Sequence, residues 1–267
     1  MANTVYHSGR LGNIVFSTAF LLAYCKKYDL KYFNPSNADA YREHSGHISN
    51  PFSYIQSTGH SPFIRRFQEP NMTNGTPFYQ ELPKMDGTIF DGYWQSFKYF
   101  DWCRPYILEK FNLPQKPLEV MSINTRRGDC INSPNFPIAP LVYYKNAVKF
   151  AQEKGINKFK VFGDDIRWNK AHFTKENFPN AEFIFSEGKS EMQDYTDLQN
   201  CSLGNITARS TFSLTAAWMN QSPNKLVLVP TTKFEWWRGM NKNLLTDTGF
   251  IEIDFDQREN LTEEKQY

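Results

Sequence analysis

The sequence predicts an α/β fold built on parallel strands, and three features carry that expectation. From Leu118 onward, short β-leaning runs alternate with segments of helical apolar spacing, the pattern of a parallel sheet with helices on both faces. The chain opens with a strand, a glycine turn and a helix. Finally, the run that starts at Leu118 ends on Arg126-Arg127-Gly128-Asp129. It thereby sets two guanidiniums at a strand's carboxyl end, where open α/β sheets bind their ligands.

Taken in order, the first strand is Thr4 to His7, followed by Ser8-Gly9-Arg10-Leu11-Gly12-Asn13. Helical spacing of Phe16, Ala19, Phe20 and Ala23 predicts a helix from Ile14 to Lys27. Asn34 to Pro83 is rich in Pro, Ser, Asn, His and Gly and reads as loops and short helices. Thr88 to Asp91 reads as a strand and Tyr93 to Phe111 as an amphipathic helix kinked at Pro105. Asn112 to Pro117 is the linker. Beyond it, strands are expected at Leu118 to Asn124, Phe159 to Phe162, Glu182 to Phe185, Ile206 to Ala208 and Lys225 to Val229. The helices between them are Leu141 to Lys154, Arg167 to Phe178, Asp194 to Ser202 and Phe212 to Asn220, and the end of the chain is polar.

A length of 267 residues allows one large or two ordinary domains, and 40% hydrophobic with 16% aromatic residues excludes global disorder. A net charge of +2 carries no nucleic-acid footprint, and the aromatics do not interleave with basic clusters. Cys25, Cys103, Cys130 and Cys201 are far apart and read as reduced thiols. With no apolar run of membrane-spanning length and no signal-peptide layout, the expectation is a soluble, cytoplasmic protein. The five histidines show no metal-ligand spacing, and neither a Ser-His-Asp order nor a Walker or dinucleotide fingerprint is present.

The paired arginines suit an anion, above all a diphosphate, which the planar guanidinium grips through its fork of donors. The alternative is a surface turn with local ion pairs. Gly9-x-x-Gly12-Asn13 can aim backbone N–H groups at an anion, or be only a turn. Ser210-Thr211 caps the next helix, and either does only that or forms a second phosphate cradle. Asp164-Asp165 can cap a helix, hold a metal or bind ribose hydroxyls. Asp197 can read a purine edge or be an ordinary solvated helix residue.

In this order the segments resemble glycosyltransferase family 11, the α-1,2-fucosyltransferases. The resemblance runs through Gly9-Arg10-Leu11-Gly12-Asn13-Ile14-Val15-Phe16, Asp91-Gly92-Tyr93-Trp94-Gln95-Ser96-Phe97-Lys98-Tyr99-Phe100, and Arg126-Arg127-Gly128-Asp129. It continues in Phe162-Gly163-Asp164-Asp165-Ile166 with Trp168, and in Ser210-Thr211-Phe212-Ser213 with Ala217-Trp218. It implies a GT-B-like α/β architecture of two Rossmann-like domains facing across a cleft. The divisions expected are an acceptor-side domain over 1–113, a nucleotide-sugar domain over 118–256 and a polar tail over 257–267. It further implies inverting, metal-independent transfer of L-fucose from GDP-fucose to O-2 of a galactoside in a glycan acceptor, with no cofactor.

By the same resemblance Arg126 is the catalytic diphosphate ligand, supported by Arg127. Gly12 and Asn13 approach the β-phosphate and sugar, Ser210, Thr211 and Phe212 contact the pyrophosphate, and Asp197 reads guanine. Departures fall at Asn124 (His in the family), Arg209 (usually Asn), Gly204 (often His), and Leu214 and Thr215 (paired Trp). Asn124 and Arg209 remain candidate donor-binding positions, with Arg209 a possible extra phosphate contact. The alternatives are a transferase of another GDP-deoxysugar and a silent glycan- or nucleotide-binding protein. No residue stands out as a general base.

Overall fold

The computed structural model describes residues 1–38, 48–60, 65–70, 79–133, 136, 138–233, 245 and 248–255. The expected tail, 257–267, lies outside them. The chain divides into two compact units, Met1–Leu113 with Arg238–Thr248 and Pro114–Trp237 with Gly249–Tyr267.

In the first unit, β1 (Thr4–Tyr6) leads through Gly9, at φ +81°, into α1 (Leu11–Tyr28). The helix is rich in Leu, Ala and Phe, carries Lys26 and Lys27 in its last turn, and ends where Asp29 turns left-handed. Next come a short antiparallel pair, β2 (Asn37–Ala38) and β3 (Ile48–Ser49), then β4 (Arg65–Gln68) and β5 (Thr88–Asp91). β1, β5 and β4 form a parallel sheet in that order. Aromatic packing closes its core: Phe20 stacks on Trp94 at 4.1 Å and meets Phe90 edge-on at 5.2 Å.

The helix expected over Tyr93 to Phe111 forms only in its second half, as α2 (Arg104–Phe111). Two 3-10 turns, Phe97–Tyr99 and Asp101–Cys103, precede it, and Trp94 sits at φ +55°. The cause is tertiary. The N–H groups of Tyr93 and Trp94 both donate to Glu69 Oε2, at 2.8 and 2.9 Å, so this backbone follows the carboxylate. Pro105 lies in the first turn of α2, where a missing N–H costs nothing, and so begins a helix rather than kinking one.

The second unit contains β6 (Met121–Thr125), α3 (Leu141–Gln152), β7 (Lys158–Gly163), α4 (Ile166–His172), β8 (Glu182–Phe185) and α5 (Glu191–Gln199). It continues through β9 (Gly204–Ile206), α6 (Thr211–Met219), β10 (Leu226–Pro230) and β11 (Ile251–Ile253). All six strands are parallel, in the order β11-β10-β9-β6-β7-β8. From β6 the chain winds outward to β8, returns to β9 on β6's other side, and winds outward again. This is the doubly wound, Rossmann-like order, and its switch point lies between β6 and β9.

Met121, Ile123, Phe159, Val161, Ile206 and Leu228 bury one face of this sheet against Tyr143, Tyr144, Ala147 and Val148 of α3. α5 starts earlier than its apolar pattern suggests, because Ser190 and Gln193 form a capping box. β9 starts at Gly204, whose φ is +121° and whose added Cβ would lie 1.9 Å from the Leu226 carbonyl oxygen. No side chain fits there, whatever related chains carry. Gly204→Ala is therefore expected to destabilise the protein by about 3 kcal/mol in chemical denaturation. Among the described residues no helix is long and apolar enough to cross a membrane, and the four cysteines are free thiols.

Candidate functional site at the switch point

β6 delivers Arg126 and Arg127 to the carboxyl edge of the sheet, and β7 delivers Asp164 and Asp165 beside them. The two motifs interlock. Asp164 Oδ1 accepts from the N–H groups of Arg127 and Gly128 at 2.8 and 3.1 Å, while Oδ2 accepts from Arg126 Nη1 at 2.5 Å. A Cβ on residue 128 would lie 2.7 Å from Asp164 Oδ2, so the motif's glycine makes room for that carboxylate. Arg126 Nη2 also donates to Asp129. Burial alone would lower the Arg126 pKa, but Asp164 and Asp129 outweigh it and raise it. Arg127 is buried, with its guanidinium carbon 4.1 Å from the Trp168 ring centre and Nε 3.5 Å from Asp165 Oδ2. Asp165 also caps α4 by accepting from Trp168 N–H at 3.0 Å. Both arginines of the pair are therefore held by local carboxylates.

Across the switch point, β9 runs into Thr207-Ala208-Arg209-Ser210 and then α6. Ser210 Oγ accepts from Phe212 N–H at 3.3 Å. Ser213 Oγ accepts from Ala208 N–H at 3.1 Å and donates to the Ser210 carbonyl at 3.3 Å, fixing the loop against the first turn of α6. Arg209 is 5% exposed, and its Nε, Nη1 and Nη2 make no hydrogen bond among the described residues. Its Cζ lies 5.4 Å from the ring centre of Phe255. The neighbouring tyrosines are already committed, Tyr143 to the carbonyl of Thr207 at 2.8 Å and Tyr144 to that of Asn124 at 3.1 Å. Burial lowers the Arg209 pKa to about 10.

An unpaired buried guanidinium costs several kcal/mol, because protein replaces its water without replacing the hydrogen bonds. The amino end of α6 adds partial positive charge beside it. An anion answers both costs at once, and a diphosphate matches the spread of donors. Between the two arginine sites, charge balance favours the one at Arg209, since Arg126 already has two carboxylates.

The sequence model of Glycosyl transferase family 11 matches residues 92–238, more than half of the chain. The chain belongs to that family. Among curated relatives of Escherichia coli, the O-antigen biosynthesis glycosyltransferase WbnK is 33% identical over 138 residues, 49% of this chain and 44% of that protein. An alpha-1,2-colitosyltransferase is 31% identical over 170 residues, 57% of this chain and 58% of that protein. The chain thus matches about half the length of these relatives.

The family 11 match includes both the Arg126 and the Arg209 loops, together with Asn124, Asp197, Ser210, Thr211 and Phe212. Asn124 is buried in β6, and Phe212 meets Tyr195 edge-on at 5.4 Å. Asp197, on α5, is held by two lysines. Its Oδ2 accepts from Lys160 of β7 at 2.6 Å and from Lys189. Burial opposes its ionisation, yet the two lysines outweigh burial and lower its pKa.

Gly12 and Asn13 lie outside the matched span, in the first unit. Gly12 is buried in the first turn of α1, and Asn13 Oδ1 accepts from Gln95 Nε2 at 2.6 Å. A Cβ at residue 9 would lie 2.0 Å from Asn13 Nδ2, so Gly9 leaves space for that amide. One feature of the same unit had no sequence signal, namely Glu69, a buried carboxyl placed just after β4. Among the described residues no cluster of His, Cys, Asp and Glu could hold a metal ion.

Proposed function

We propose that this family 11 chain is an inverting glycosyltransferase that moves L-fucose from GDP-fucose to a hydroxyl of a glycan acceptor, O-2 of a galactoside. The supporting observation is the buried, unpartnered guanidinium of Arg209 beside the amino end of α6. Fucosyl transfer develops positive charge at the anomeric carbon and negative charge on the departing diphosphate. Fixed donors that meet the second charge lower the barrier without needing a metal. In this reading Arg209, Ser210, Thr211 and Phe212 hold the diphosphate, and Arg126, Arg127 and Asn124 are further donor-binding residues. Gly12 and Asn13 of the first unit enter this reading through their motif alone. Asp197 reads guanine through Oδ1, since both lysines use Oδ2.

The GT-B architecture belongs to the same proposal, supported by a parallel sheet in each unit. A cytoplasmic location also belongs to it, and the free thiols fit a reducing compartment. A second reading, transfer of another GDP-deoxysugar, is favoured by the relative named a colitosyltransferase and by the departures at Asn124, Gly204 and Arg209.

The test is a transfer assay with GDP-fucose, other GDP-deoxyhexoses and UDP-sugars on galactoside acceptors, beside thermal denaturation with each nucleotide. GDP at 100 times its Kd is expected to add about 2.7 kcal/mol of stability, and GDP-fucose is expected to give a 1→2-linked product. Transfer from a different GDP-deoxysugar would install the second reading. A response to UDP alone, or GDP binding with neither transfer nor donor hydrolysis, would refute both.

A further inference from the structure

We propose that a cavity in the first unit, between the second half of α1 and the segments 79–82 and 98–102, binds one sugar ring of a glycan. It rests on the transferase reading above only for that glycan being the acceptor. Every residue lining the cavity belongs to the first unit, so binding there needs nothing from the second. Its volume is about 240 Å³. Sites that enclose a drug-sized ligand run to roughly 300–1,000 Å³, so this one suits a single pyranose rather than a nucleotide. The wall is aromatic, with Phe20, Tyr24 and Tyr28 contributed by α1, and Tyr79, Tyr99 and Trp102 by the other segments. Trp102 is 55% exposed and Tyr79 38% exposed. Large apolar rings left open beside polar groups mark interaction sites.

These rings are held in place by the protein itself. Trp102 Nε1 donates to the Tyr99 carbonyl at 3.2 Å, and the Tyr79 and Tyr99 ring centres are 5.0 Å apart. The Tyr24 hydroxyl donates to the Pro83 carbonyl at 2.7 Å and that of Tyr28 to the Leu82 carbonyl, while that of Tyr99 accepts from Gln80 N–H at 3.2 Å. Backbone partners thus take the polar ends, and the wall offers a ligand mainly ring surface. An aromatic face is electrostatically negative, and the C–H groups on one side of a pyranose are apolar and weakly positive, so the two match. The hydroxyls at the sugar's edge need donors and acceptors together. Lys27 Nζ and Glu81 Oε1 supply both, paired at 2.7 Å with their side chains 42% and 71% exposed. Lys98 is the one further cation of the lining. Anionic membranes recruit clusters of about 4–8 basic residues, so this lining favours a neutral sugar over a lipid headgroup.

The experiment is calorimetry on the full chain without nucleotide, titrating galactose, lactose and a galactose-terminated tetrasaccharide into wild type, Trp102→Ala, Trp102→Phe and Tyr79→Ala. Thermal unfolding checks that each variant is folded. The tetrasaccharide is expected to bind wild type and to bind Trp102→Ala about tenfold more weakly. Trp102→Phe should stay within about threefold, because it loses the bond to Tyr99 and keeps a ring face. Unchanged affinity in folded Trp102→Ala and Tyr79→Ala, or no binding of any of these sugars to wild type, overturns the assignment. Sedimentation with vesicles of phosphatidylglycerol and phosphatidylcholine supplies the contrast. Trp102-dependent vesicle binding without sugar binding overturns it in favour of a membrane surface. Wild type that binds the tetrasaccharide through Trp102 yet transfers from no GDP-sugar supports this site and defeats the transferase reading, so the two failures are separable.

Discussion

Arg209→Met is expected to bind GDP about 100-fold more weakly, roughly 2.8 kcal/mol, and yet to be more stable than wild type in the absence of nucleotide. The two effects share one cause. In the free protein the guanidinium is buried without a hydrogen bond, so an apolar chain of similar length removes an uncompensated charge. A gain of about 1–3 kcal/mol in denaturant or thermal unfolding is the expected size. In the proposed nucleotide complex the same substitution would remove a forked, desolvated contact to phosphate. Arg209→Lys should fall between, since an ammonium keeps the charge and loses the fork. Were Arg209 only part of the scaffold, Met would lower stability and leave GDP affinity unchanged.

Arg126→Ala is expected to lower kcat/KM for the donor by 10²–10³-fold, about 3–4 kcal/mol. Part of this is a lost donor near the diphosphate. The remainder is electrostatic, because Asp164 and Asp129 would face the incoming anion without their shared cation. Adding Asp164→Asn to Arg126→Ala should therefore recover about tenfold, as a non-additive pair in a double-mutant cycle. Asn keeps an oxygen for the Arg127 and Gly128 amides, so the loop is expected to hold. Near-wild-type transfer by purified Arg126→Ala would remove Arg126 from the mechanism.

The second unit's sheet was legible because its strands and helices announce themselves locally, with alternating apolar residues at β6 and β7, an apolar run at β10 and amphipathic spacing at α3. Position at the carboxyl edge followed from alternation alone, which is why the Arg126 and Ser210 loops could be picked out together. What sequence does not carry is charge balance. Arg126 and Arg209 read alike as residues, but one meets two carboxylates and the other meets none, a difference set by strands far apart in sequence. Tyr93 to Phe111 misled for a similar reason: its apolar spacing is helical, and a carboxylate 24 residues earlier takes its backbone donors. β4, with the sequence Arg-Arg-Phe-Gln, is short and polar, so Glu69 just beyond it had no pattern to mark it. β11 was missed in the same way, as a three-residue edge strand.

The most direct measurement is a crystal structure of the chain with GDP bound. Diphosphate oxygens within hydrogen-bonding distance of the Arg209 guanidinium and the first-turn amides of α6 are the expected result. A diphosphate bound elsewhere, with that guanidinium still lacking a partner, contradicts the assignment of this switch point as the donor site.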